Sequence, residues 1–272
     1  MGVAFFKMTG SGNDFVFLDG RVHPAEDWPR ERIASVCDRR RGVGGDGLVI
    51  LTPEGPGAVR MIYFNSDGGR ASMCGNAALC STRLSARLGL ADPVGMRLVT
   101  DAGPYDARCV GPGNMAELHL ADFPVPAEVS AVAPLEGERI LGVATVGVPH
   151  LAILVDDIEA VDIERRGREL RFHRALGDAG ANANFVAPPA GPGEPWLIRT
   201  YERGVEGETL ACGTGTVAAA VAVAASGRGE LPMHFRSRGG SPLTVSATLE
   251  NGSARNVWLC GEGRLVFTGE LT

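Results

Sequence analysis

The chain has little that would place it in a membrane, in an oxidising compartment or on a nucleic acid. Nowhere do apolar residues run for the ~18 positions of a membrane span. The opening residues, MGVAFFKMTG, lack a basic region followed by a long apolar run, so no secretory signal is expected. Phe6 stands where a myristoylation motif needs Ser or Thr, and the sequon Asn251-Gly252-Ser253 reads as chance. Cysteine is sparse: six in 272 residues with no CxxC pair, which argues against a disulfide framework and against a metal site. A reducing cytoplasm fits. The one basic run is Arg39-Arg40-Arg41, read as a solvated helix end, and the net charge is −6. Nucleic acid and anionic membranes are therefore not expected partners. There is no GxxxxGK[ST] motif. GVGGDG at 42–47 satisfies G-x-G-x-x-G, but a helix-like segment (Glu31 to Arg40) precedes it and an apolar strand (48–51) follows. A dinucleotide site needs the reverse order.

What is present is a globular composition, 44% hydrophobic and 21% charged, in a length that suggests two domains. Two Cys-Gly steps stand out. MCGNAALCSTRLSARLGL (73–90) and LACGTGTVAAAVAVAASG (210–227) each open a helical pattern with a cysteine at its mouth, at Cys74 and Cys212, 138 residues apart. Asn76 and Thr214 are the expected N-caps. GNDFVFLD at 12 answers GVPHLAILVD at 147, DGLVIL at 46 answers NANFVA at 182, and MIYFNSDGG at 61 answers LIRTYERGV at 197. Four matches in one order at offsets of 135 to 138 residues describe a duplicated domain with a two-fold pseudo-repeat.

Strands are expected at 96–99, 105–110 and 115–120, and again at 243–249, 255–259 and 264–268. The second helix is apolar all round and should be surrounded by protein. The fold class is α/β (α+β): two pseudo-symmetric domains, each a mostly antiparallel sheet wrapped around a central helix. FPVPAEVSAVAP (123–134) reads as the linker.

A helix N-terminus carries free N–H groups and about half a positive charge, which favours a thiolate and can hold a carboxylate. Two such helices could turn their cysteines on one ligand across a cleft between the domains. Flanking glycines and matched positions favour this over buried structural thiols for Cys74 and Cys212. Cys37, Cys80, Cys109 and Cys260 have neither feature and read as structural.

The segments MTGSGNDFVFLDG, RRGVGGDGLVIL, MIYFNSDGGRASMCGN, GVPHLAI, ANANFV and YERGVEGETLACGTGT resemble the diaminopimelate epimerase family, in that family's order and across nearly the whole chain. The resemblance implies a cofactor-independent isomerase that interconverts LL- and meso-diaminopimelate, cytoplasmic and homodimeric, with a small amino acid as its partner. It also implies that the last strand returns to the first domain: 1–121 with 259–272 on one side, 122–258 on the other. Epimerisation removes a proton from one face of an α-carbon and returns one to the other, so two bases are the simplest arrangement. No pyridoxal lysine motif is evident. By resemblance, His150 and Glu202 tune the two thiols. Gly75, Asn76, Gly213 and Thr214 meet the reacting carboxylate and amine; Asn13, Asn65, Asn182, Glu202 and Arg203 complete the substrate site. On composition alone Asn13 and Asn65 also suit turns, and His150 alone would suit a core.

Three departures touch that implied site. Family members often carry Asn where this chain has Val148, some carry Gln at Gly47, and the first helix begins CGNA, with Ala77, in place of CGNG. A racemase of proline, hydroxyproline or another amino acid is the alternative within the superfamily, although proline racemases typically carry His after the first Cys-Gly. A cysteine hydrolase using Cys212 and His150 would leave Cys74 and the repeat unexplained. An inactive binding protein would leave both cysteines unexplained.

Overall fold

The computed structural model describes residues 2–272, which form two compact units: residues up to His119 together with Cys260–Thr272, and Leu120–Leu259. In the first, the hairpin β1 (Val3–Gly10) and β2 (Asn13–Asp19) is followed by α1 (Arg30–Cys37), β3 (Gly47–Pro53) and β4 (Ala58–Asn65). A two-residue β5 (Arg70–Ala71) leads into α2 (Gly75–Arg87), then β6 (Met96–Thr100), β7 (Gly103–Val110) and β8 (Met115–Leu120). The second unit opens on β9 (Phe123–Pro124). It continues with β10 (Glu138–Val146), β11 (Val148–Val155), α3 (Ile163–Arg171), β12 (Asn182–Ala187), β13 (Trp196–Glu202), β14 (Gly207–Thr209), α4 (Gly213–Ala225), β15 (Met233–Ser237), β16 (Pro242–Glu250) and β17 (Ser253–Glu262). The final strand, β18 (Arg264–Leu271), pairs antiparallel with β1.

The pairings repeat step for step. β1–β2, β3–β4, β4–β5 and β6–β7 are antiparallel, as are β10–β11, β12–β13, β13–β14 and β15–β16. The parallel pairs are β2–β3 and β4–β6 in one unit, and β11–β12 and β13–β15 in the other. Parallel neighbours need a crossover, and each of these four carries one helix, in the order α1, α2, α3, α4. α2 and α4 are both 13 residues long.

Each sheet is covered on both faces, so its central strands read as apolar runs. Val16, Leu18, Leu48 and Ile50 pack with Trp28, Ile33 and Val36 around α1. The alternating residues face α2, which packs on β1, β2, β3, β4, β6, β7 and β18. In the second unit Leu151, Ile153, Ala183 and Phe185 cluster with Ile163 and Leu170 of α3. The alternation then turns His150, Asn182 and Asn184 toward α4. α4 is built of Gly, Ala, Val and Thr, and from Thr216 through Val223 it is buried on all sides.

Two local expectations are corrected. The Pro-containing segment 123–134 is not free chain: Phe123 and Pro124 pair with Ala254 and Ser253, Ala127 bridges Val143, and Val132 is in the core. The arginine run lies past the helix, which ends at Cys37, and Arg39, exposed as expected, also pairs with Asp14 and Asp46.

Candidate active site

The two cysteines occupy equivalent places. Cys74 and Cys212 are themselves the N-caps of α2 and α4, with extended backbones (φ −142°, ψ 121° and φ −128°, ψ 106°). Their carbonyls accept the first helical bonds, from Ala78 N–H and Thr216 N–H, each at 2.9 Å. Asn76 and Thr214, expected as caps, lie two residues further in, at the second helical position. Neither thiol caps its helix in the manner of a Ser or Asp side chain. The leading N–H groups of each helix, from Gly75 and Gly213 onward, therefore stay available beside a sulfur. Cys74 is half-buried and Cys212 is buried, with its Sγ 3.8 Å from Thr214 Oγ1. The other four thiols behave as structural groups. Burial pushes Cys37 and Cys260 up to about 11 and raises Cys80 and Cys109 as well.

In the first unit, Asn13 stands at the start of β2 and Asn65 at the exposed end of β4, opposite Gly47. Asn76 Nδ2 donates to Asn13 Oδ1 (2.7 Å), and Asn13 Nδ2 donates to Asp46 Oδ2 (2.8 Å). Asp46 also accepts from Asp14 N–H (3.1 Å) and from Arg39 (2.7 Å). Behind it, Lys7 Nζ donates to Asp14 (2.6 Å) and to the Gly44 carbonyl. Burial would raise the Asp14 pKa, but hydrogen bonds from Arg39 and Lys7 outweigh it and hold the carboxyl below its ordinary range. Asp46 is thus the working part of GVGGDG: a carboxylate that orients Asn13.

Gly47 has a steric cause. A Cβ there would come 2.4 Å from the Phe64 carbonyl and 2.6 Å from Tyr63 Cε2. The Tyr63 ring, edge-on to Phe15 at 6.0 Å, occupies the space a side chain at 47 would take.

In the second unit, β11 and β12 set His150 beside Asn182 in parallel register. His150 is fully buried, and burial, aided by the charge of Arg203, pulls its pKa down to about 3. Asn182 Oδ1 accepts Arg203 N–H (2.7 Å), while its Nδ2 lies 3.3 Å from His150 Nδ1. Glu202 ends β13; burial raises its pKa against a hydrogen bond from Thr209. Arg203 is partly buried in the following turn. Glu206 in that turn is held by Arg171 (3.1 Å) and is not the partner of the Arg203 guanidinium. Val148, the departure noted in the sequence, is half-buried at the start of β11 and offers no polar side-chain group.

The diaminopimelate epimerase family model matches residues 5–118 and 142–262. The diaminopimelate epimerase of Gemmatimonas aurantiaca is 45% identical over 278 residues, covering 99% of each chain. That of Aquifex aeolicus is 36% identical, covering 98% of this chain and 97% of its own. This chain belongs to the diaminopimelate epimerase family. Solved structures share its fold at lower identity. A PhzF-family phenazine biosynthesis protein from Bacillus anthracis has a TM-score of 0.72 at 12% identity, covering 100% and 99% of the two chains. A hydroxyproline epimerase from Agrobacterium vitis has a TM-score of 0.63 at 19% identity, covering 99% and 91%.

Within this family member the sequence reading missed the residues behind the site: Lys7, Asp14, Arg39, Asp46, Tyr63 and Asn184. One signal was available. Lys7 is the single lysine among 26 basic residues, and a chain that otherwise uses arginine throughout keeps a lysine where the space beside Gly44 and Gly45 is tight.

Proposed function

We propose that this chain epimerises LL-diaminopimelate to meso-diaminopimelate without a cofactor, with Cys74 and Cys212 as the two bases. The observation that carries the reading is the duplicated helix mouth: two thiols, each the N-cap of a 13-residue helix inside the same strand topology. The names of the relatives supply the substrate. One cysteine acts as thiolate and takes the α-proton; the other, as thiol, returns a proton to the opposite face. The carbanion is stabilised by hydrogen bonds and by the helix N-termini.

In this reading Gly75, Asn76, Gly213 and Thr214 hold the reacting carboxylate and amine. Asn13, Asn65 and Arg203 hold the distal end, where the guanidinium suits a planar carboxylate. Asn182, with both ends of its amide engaged, fixes Arg203 relative to His150. In this reading His150 and Glu202 tune the two thiols, and burial favours the neutral form of each. The reading includes a cytoplasmic homodimer.

Deuterated water tests it. Starting from LL-diaminopimelate, each first-formed product molecule carries deuterium at the inverted carbon, while remaining substrate stays largely unlabelled. Cys74→Ala and Cys212→Ala each stop epimerisation. Early product that keeps the substrate hydrogen would refute the two-base reading. Equal rates on proline or hydroxyproline would move the substrate assignment to the wider superfamily.

A further inference from the structure

Asn184 has no part in the chemistry above, yet it sits between two groups that do. It is fully buried on β12. Its Nδ2 donates to the carbonyls of Leu151 (3.1 Å) and Asn182 (3.3 Å), and its Oδ1 accepts from Thr200 Oγ1 (3.1 Å). These partners fix which way the amide points, and Nδ2 then lies 3.4 Å from His150 Nδ1. The amide of Asn182 is fixed in turn by Arg203 N–H and aims its own Nδ2 at the same ring nitrogen. Asn182 donates to Nδ1, and Asn184, with two hydrogens for three acceptors, shares one of them between the Asn182 carbonyl and Nδ1, so Nδ1 accepts and the neutral ring carries its proton on Nε2. Nε2 is buried without a hydrogen bond of good geometry, although the Val146 carbonyl favours a proton on the ring. On its other side Asn184 meets α4. A Cβ at Gly215 would come 2.1 Å from Asn184 Oδ1 and 3.1 Å from Cys212 Sγ. The glycine lets the amide lie against the turn that follows the thiol.

We infer that Asn184 is a positioning residue: it holds His150 as the Nε2–H tautomer and seats the first turn of α4 beside Cys212. The inference rests on the proposed epimerase reading for its consequence in catalysis, but not for the tautomer itself.

The test combines nitrogen-15 NMR of labelled histidine, kinetics on LL-diaminopimelate and the alkylation rate of Cys212, on the full chain. Wild type shows His150 protonated at Nε2 only. In Asn184→Ala the tautomers mix and Cys212 alkylation changes. Its kcat falls about tenfold or more while KM stays within about threefold, the pattern of a lost transition-state interaction. A wild-type ring protonated at Nδ1 overturns the inference. So does an alanine variant with wild-type kcat, or one that loses activity with tautomer and alkylation rate unchanged. Should Asn184→Ala not fold, Gly215→Ala presses on the same contact from the helix side. It must then lower kcat, and the wild-type spectrum decides the rest. A wild type inactive on diaminopimelate defeats the functional reading, while the spectrum and alkylation rates still judge Asn184.

Discussion

Asn76 on the first turn of α2 donates to Asn13 at the head of β2 at 2.7 Å, and Asn13 in turn rests on Asp46. An amide is symmetric enough to flip, and this one is held only by its neighbours. Removing the carboxylate in Asp46→Ala frees Asn13 to rotate. KM for diaminopimelate should rise about tenfold, the scale of one hydrogen bond of ~1.4 kcal/mol, with kcat less affected. An unchanged KM would show that Asn13 needs no such support.

Buried Lys7 and half-buried Asp14 form an ion pair shared with exposed Arg39. Lys7→Met should cost about 2 kcal/mol at neutral pH, the scale of a hydrogen bond to a charged group, because Arg39 still pairs with Asp14. Because the Asp14 pKa is depressed in the fold, its contribution is present above the unfolded value of about 4 and is lost as pH falls through the folded one. Urea unfolding at neutral pH and at about pH 3 should show the gap between variant and wild type narrowing in acid. A gap that widens would contradict the assignment.

His150 is neutral in the fold, with a pKa of about 3, whereas an unfolded histidine takes a proton below about 6.5. Stability is therefore complete above that value and declines below it, by up to roughly 1.4 kcal/mol per pH unit. The decline levels off beneath the folded value. His150→Gln removes this component, so its unfolding free energy should depend less steeply on pH between 6 and 4. Parallel curves for the two proteins would mean that His150 titrates normally.

Gly47→Ala drives a methyl group into the Phe64 carbonyl and the Tyr63 ring. The strand has no slack, and overpacking of this kind costs about 1–3 kcal/mol. Thermal unfolding should fall by several degrees. An alanine variant as stable as wild type would show that Tyr63 can swing aside, and that a longer side chain at 47 would be tolerated here.

The cysteines were legible because their signal is local and doubled: Cys-Gly at the start of a small-residue helix, twice, at one offset. The sheet wrapped around a helix followed from an α4 with no polar face. The capping residue was misread because Asn and Thr usually cap by side chain, whereas here an extended cysteine backbone takes the N-cap position. Arg39 is solvated, as a run of three arginines suggests, but nothing local shows that a β-strand 25 residues earlier supplies its carboxylate. Asn184 and Tyr63 were invisible for the same reason. Each matters through a glycine far along the chain, Gly215 and Gly47, and a glycine in sequence does not say what comes close to it.

The pairing of β18 with β1 sets a schedule for the chain as it leaves the ribosome. The second unit, Leu120–Leu259, is continuous in sequence and has all its strands once its own stretch is out. The first unit is made first but lacks its closing strand until Arg264–Leu271 emerges. Domains usually fold in the order of synthesis; here the second unit is the first to have its strands in hand, and until the last residues arrive β1 stands as an open edge able to pair with another chain.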